Sequence, residues 1–146
     1  MVRLNVVTDG DFFREFEHTG DLGIQVEAPS RAELFAHAVV ALARLMVEPE
    51  NVHSSDRQQI EVHADNDADL MHDLLAAALN KFLIDGFIWH DASITEHEGA
   101  IAAVLSGERF DRARHQLITE IKAVTYHRLA VEHERGNWQA TVVFDI

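Results

Sequence analysis

Two stretches of the chain carry apolar residues at helical spacing, and most of the remainder alternates with the period of a strand. Leu34, Phe35, Ala38, Leu42, Leu45 and Met46 fall on one side of a helix. Ser30 and Glu33 open it as a capping box, the Ser30 hydroxyl accepting from the Glu33 amide and Glu33 reaching back to the amide of Ser30. Pro49 lies just beyond, where the helix must already have ended. The second stripe is Leu70, Met71, Leu74, Leu75, Ala78, Leu79, Phe82 and Leu83. It starts near Asn66 or Asp67, with acids in the first turn that complement the positive end of the helix dipole, and Gly86 is its stop.

Strands are predicted over 12–17 and 22–28, on either side of a turn at 18–21, and over 58–64, with Ile60 and Val62 inward. Residues 87–97 and 100–110 form a hairpin around Glu98-Gly99, and 121–133 pairs with 138–144 around Arg135-Gly136-Asn137. In the closing strand Trp138, Ala140, Val142 and Phe144 share one face, and Gln139, Thr141 and Val143 the other. No regular βαβ repeat occurs. The pattern therefore predicts an α+β fold: mixed, mainly antiparallel β-sheets with two amphipathic helices, in one compact domain over residues 1–146.

Composition narrows the function. A chain of 146 residues buries roughly 68–70% of its unfolded surface and needs no covalent staple. It has no cysteine, which excludes disulfides, thiolate zinc sites and cysteine nucleophiles. A net charge of -13 argues against direct binding to nucleic acid, because that affinity comes from lysine and arginine, and it suits cations or a basic protein partner. The first residues lack the apolar core of a signal peptide, and no apolar run approaches the roughly 20 residues that cross a bilayer. A cytoplasmic protein with no membrane attachment is expected.

Chemistry concentrates in three places. At the chain end, Asp145 stands beside the α-carboxylate of Ile146, and a third acid, Asp21, sits in the turn Glu17-His18-Thr19-Gly20-Asp21-Leu22-Gly23. Like charges 4 Å apart near a surface repel by roughly 4 kcal/mol at an effective dielectric of about 20. Solvent relieves that, as does a hard divalent cation, which takes oxygen ligands. Asp21 can equally form an Asx-type turn. The second place is Gly107 to His115, charge-dense, which reads either as a site or as a solvated loop. The third is Glu120 to His127, where alternation puts Ala123, Thr125 and His127 on one face and Lys122, Val124 and Tyr126 on the other. A solvated sheet face explains that stripe as well as a site does. The ten histidines give no HxxxH or HExxH pattern, the serines no GxSxG elbow, and the glycines neither a P-loop nor a dinucleotide fingerprint. Catalysis has no nucleophile–base pair to stand on.

Taken together, the 17–23 turn, Gly107-Glu108 with Asp111 and Arg114-His115, the run Ile121 to His127 and the terminal Asp145-Ile146 resemble the archease family, in order and spacing, from end to end. Gly20 stands where the resemblance leads one to expect alanine, and Ala77 where it leads one to expect an acid. The resemblance implies a non-catalytic protein cofactor of an RtcB-type RNA ligase in tRNA splicing and RNA repair. Such a cofactor promotes guanylylation of the ligase histidine and lets the ligase turn over many times. It also implies a divalent cation, Ca²⁺ or Mg²⁺, on Asp21, Asp145 and the carboxylate of Ile146. Glu108, Lys122, Thr125 and His127 are then the candidates for acting on the partner. Two other classes stay open: a chaperone or adaptor without ligase-specific activity, and a metal-dependent hydrolase.

Overall fold

The computed structural model describes residues 2–4, 12–18 and 20–146. In chain order its elements are β1 (Val2–Leu4), β2 (Phe13–His18), β3 (Asp21–Ala28), α1 (Arg31–Met46), a short 3₁₀ turn (Pro49–Asn51), β4 (Asp56–His63), α2 (Asp67–Leu83), β5 (Phe87–His97), β6 (Ala100–Arg109), β7 (Ala123–Val124), β8 (Ala130–Glu134) and β9 (Asn137–Asp145). They form two antiparallel sheets. The first has the order β1-β5-β6-β4; the second runs β2-β3-β9-β7, with β8 also on β9.

Both helices start where side-chain chemistry says they should. The Ser30 hydroxyl accepts from the Glu33 amide at 3.2 Å, and the Asn66 side chain accepts from the Asp69 amide at 2.8 Å. Beyond its predicted stripe, α1 is buried almost all round. Ala36, Val39, Val40, Ala41 and Ala43 are covered as fully as Leu34 and Leu42, because the helix packs against β5 of one sheet and β3 of the other. Small residues on the added faces let the sheets approach. Side chains then lock the layers. Nδ1–H of His37 donates to the Glu27 carbonyl of β3 at 2.8 Å, and the Trp89 indole of β5 donates to the Val39 carbonyl at 2.9 Å. The burial that seats His37 also lowers its pKa. In α2 the stripe is buried through Leu79, while Leu83 at the last turn is 49% exposed.

Two differences from the sequence reading bear on function. The short strand β1, pairing Val2 with Ile94 and Leu4 with Ala92, was not among the predicted elements. The expected strand over 121–133 is two strands on one edge of β9. Val124 faces Phe144 and Ala130 faces Thr141, so six steps on one side match three on the other. The surplus bulges out as a turn closed by the Leu129 amide on the Tyr126 carbonyl at 3.2 Å, with Arg128 at φ 57. Strand alternation therefore stops at Val124, and no common face carries Ala123, Thr125 and His127. Among the described residues no helix is long and apolar enough to cross a membrane.

Candidate functional site

β3 begins on Asp21 and β9 ends on Asp145, and the register places the two directly opposite each other. Cross-strand partners have Cβ atoms about 4.5–5.5 Å apart, and like charges in that position destabilise a sheet. On the other side of Asp145 stands Ala123 of β7, and the Lys122 amide donates to the Asp145 carbonyl at 2.8 Å. Asp145 is thus flanked by a strand on either side. Asp21 is half-buried; Asp145 and Ile146 are exposed. Gly20, at φ +74, turns the chain into β3 in the left-handed region, where a side chain costs alanine roughly 1–2 kcal/mol. Thr19 and the side chain of His18, the rest of that turn, lie outside the described residues.

The side-chain donors that this arrangement offers a cation are the oxygens of two aspartates across one register pair. That set fits a hard ion such as Ca²⁺ or Mg²⁺ and does not suit a soft one. It contains only two side chains, and among the described residues no three His, Asp or Glu side chains are grouped to hold a metal.

The 122–127 segment borders this pair. Lys122 and His127 are exposed. Thr125 is not available in the same way. Its amide and hydroxyl both donate to the Val143 carbonyl, at 3.0 and 2.9 Å, and its Oγ1 accepts from the His127 amide at 3.2 Å. Thr125 therefore pins the start of the bulged turn to β9 and sets the position of His127. Tyr126 stacks on the His72 ring of α2, centroids 3.9 Å apart, which fixes the turn from the other side.

Glu108 lies in the other sheet, at the end of β6, and is buried. Its Oε1 accepts from Nη2 of Arg114 at 2.5 Å; Oε2 accepts from Nη1 of Arg114 at 3.1 Å, the His53 amide at 2.7 Å and Nε2 of His115 at 3.0 Å. Nδ1 of His115 accepts from the Asp111 amide at 2.9 Å, so the ring proton resides on Nε2 and points at Glu108. Four bonds engage the carboxylate, one on Oε1 and three on Oε2. The Arg114 guanidinium, then the His53 amide and His115, hold its pKa down at about 2 against the opposing effect of burial. This constellation braces the loop after β6 against the chain entering β4. It does not join Glu108 to Lys122 and His127, which flank the second sheet.

One part of the second sheet escaped the sequence reading. On the face that carries Asp21 and Asp145, the next pairs along are Gly23 with Phe16 and Val143, then Gln25 with Arg14 and Thr141. A glycine inside a strand was the available signal, since it marks close approach of another group. Here that group is the ring of Phe16.

Comparison with known proteins agrees along most of the chain. The model of the archease protein family matches residues 13–146. An archease of Methanopyrus kandleri is 35% identical over 138 residues, covering 92% of this chain and 99% of its own. An archease of Methanosarcina mazei is 31% identical over 144 residues, covering 95% and 99%. Among solved structures, protein 1598 of Methanobacterium thermoautotrophicum superposes with a TM-score of 0.76 at 24% identity, over 92% of this chain and 98% of that one. An archease of Thermotoga maritima, described as a possible chaperone, gives a TM-score of 0.67 at 22% identity, over 91% and 96%. The two structures share the fold.

Proposed function

Because this chain belongs to the archease family, which its match over residues 13–146 establishes, we propose that it is a non-catalytic protein cofactor of an RtcB-type RNA ligase in tRNA splicing and RNA repair. The observation that carries this reading is the register pair Asp21–Asp145 at the C-terminal end of the chain. Two carboxylates facing each other across a strand pair lower the stability of the isolated sheet, so a function that uses their combined charge accounts for them.

In this reading Asp21, Asp145 and the carboxylate of Ile146 would hold a divalent cation, Ca²⁺ or Mg²⁺, which supplies charge neutralisation and ties the turn before β3 to the end of β9. The chain's own residues do the rest. The Lys122 amide and the β7 pairing hold Asp145 in place. Lys122 and His127 are exposed, and in this reading their side chains approach the partner's nucleotide site, while Thr125 fixes the turn that carries His127. Glu108, with both carboxylate oxygens engaged, braces the loop after β6.

A ligation assay with the ligase of the same cell, with and without this protein, tests the proposal. Multiple turnover should appear only when it is added. A folded Lys122→Ala/His127→Ala double variant should stimulate less, and so should Asp145→Asn. The possible-chaperone description of the Thermotoga relative supports the competing reading, a chaperone or adaptor without ligase-specific activity. Ligation that is indifferent to the protein, together with suppressed aggregation of unrelated clients, favours it.

A further inference from the structure

Along the same sheet face, past the carboxylate pair, lies a site of opposite sign. The far edge of the Phe16 ring lies over Gly23, where a Cβ would meet its Cζ at 2.1 Å. The guanidinium of Arg128 is placed over that ring, 5.3 Å from its centroid, by a residue in the left-handed region at φ 57. Few residues other than glycine adopt that conformation, so the turn holds Arg128 at a conformational cost. Arg14 is oriented differently: Nε donates to Oε1 of Gln25 at 2.8 Å, and Nη2 donates to the same oxygen. Both cations are thus positioned by uncharged groups, and among the described residues neither pairs with a carboxylate. Arg31 and Arg114, by contrast, are each held by an acidic partner. Between the two runs an open cleft of about 400 Å³, lined by Arg14, Glu15, Phe16, Gln25 and Arg128.

We propose that this cleft docks an acidic segment of a protein partner, its carboxylates received by Arg14 and Arg128. Guanidinium forks match carboxylate oxygens bidentately, and forks already held in place lose less freedom on binding than mobile lysines do. A nucleic-acid strand fits less well. The Asp21–Asp145 pair lies only two residues beyond Gly23, about 7 Å along the strand, so an extended polyanion would run into it and into the net charge of -13. A folded partner presents its acids locally. The face then has two poles, arginines at one end and carboxylates at the other, which admit a partner of complementary pattern in one orientation. The inference deepens the reading of this chain as a docking cofactor, and rests on it only for which protein docks.

The test has two arms. In the first, the arginine Nε–H signals of the full chain are followed by NMR during titration with a short peptide carrying two adjacent glutamates, otherwise uncharged, at physiological salt. The signals of Arg14 and Arg128 should move saturably, binding should vanish in Arg14→Gln/Arg128→Gln, and Arg128→Lys should weaken it although the charge remains. Uniform movement of Arg57, Arg112 and Arg135 along with them, or no movement at Arg14 and Arg128, overturns the proposal. So does stronger binding of an oligouridylate of equal charge. In the second arm, Arg14→Gln/Arg128→Gln should raise the concentration for half-maximal ligase stimulation roughly tenfold while the plateau is kept. An unchanged half-maximum removes the ligase as the docked partner. If the native protein stimulates no ligase, the proposed function fails, while the peptide titration still decides the cleft.

Discussion

Glu108 and Gly107 are adjacent and show how one position can be fixed by charge and the next by space. The folded-state pKa of Glu108, about 2, lies below its ordinary 4.5. Ionised Glu108 therefore contributes its full stabilisation above about 4.5, and that contribution is lost as the pH falls through about 2. Urea unfolding of the native chain and of Glu108→Gln should differ most near neutral pH and converge in strong acid; a difference that does not depend on pH would deny the carboxylate this role. Gly107 faces the irregularity in β5 between Trp89 and Asp91, and a Cβ there would lie 1.9 Å from the Ile88 carbonyl oxygen and 2.5 Å from the Trp89 Cα. Backbone cannot swing aside as a side chain can. Gly107→Ala should cost roughly 3 kcal/mol in the same measurement, a typical upper value for overpacking.

At the scale of elements, β9 decides the most. It pairs with β3 along its whole length on one edge and with β7 and β8 in succession on the other, so its final residues are held although they end the chain. If the α-carboxylate of Ile146 is a ligand, a residue appended after it turns that oxygen donor into a neutral amide carbonyl and displaces the charge. Calorimetric titration with Ca²⁺ and Mg²⁺ should then show weaker binding for a C-terminally extended chain and for Asp145→Asn, and unchanged binding for an N-terminally extended one. Equal affinity with and without the C-terminal extension would eliminate the terminal carboxylate as a ligand. The bulged turn after β7 belongs to the same element logic, since β9 supplies the Val143 carbonyl that anchors Thr125.

For the whole molecule, the governing quantities are a helix enclosed between two sheets and a large negative charge. Enclosure explains why α1 tolerates a buried His37 only with a backbone carbonyl to receive its proton. Charge explains the choice of partner. With -13 overall, the isolated protein should bind tRNA negligibly at physiological salt, because few phosphate contacts oppose much repulsion. Filter binding or anisotropy at several salt concentrations checks this; tight, salt-sensitive binding by the protein alone would refute a purely protein-directed role.

What the sequence by itself determined was local. Ser30 and Asn66 cap the helices, the apolar stripes set their inner faces, and Gly86 at φ +67 ends α2, because each depends on residues within a turn or two. The two-residue connection at Glu98-Gly99 and the turn at Arg135-Gly136 are of the same kind. The acids at 21 and 145 were visible as residues, and the strand assignments on either side of them made a meeting conceivable. Only the tertiary structure decided the register that sets Asp21 against Asp145, the break in the expected 121–133 strand, and the binding of Glu108 by Arg114, His115 and His53. It alone also decided the gathering of Arg14, Phe16 and Arg128 on one face. Each of these joins residues far apart in the chain, and a one-residue slip in strand pairing would move them to opposite faces. Periodicity records which way a side chain points along its own strand, and is silent about which strand lies beside it.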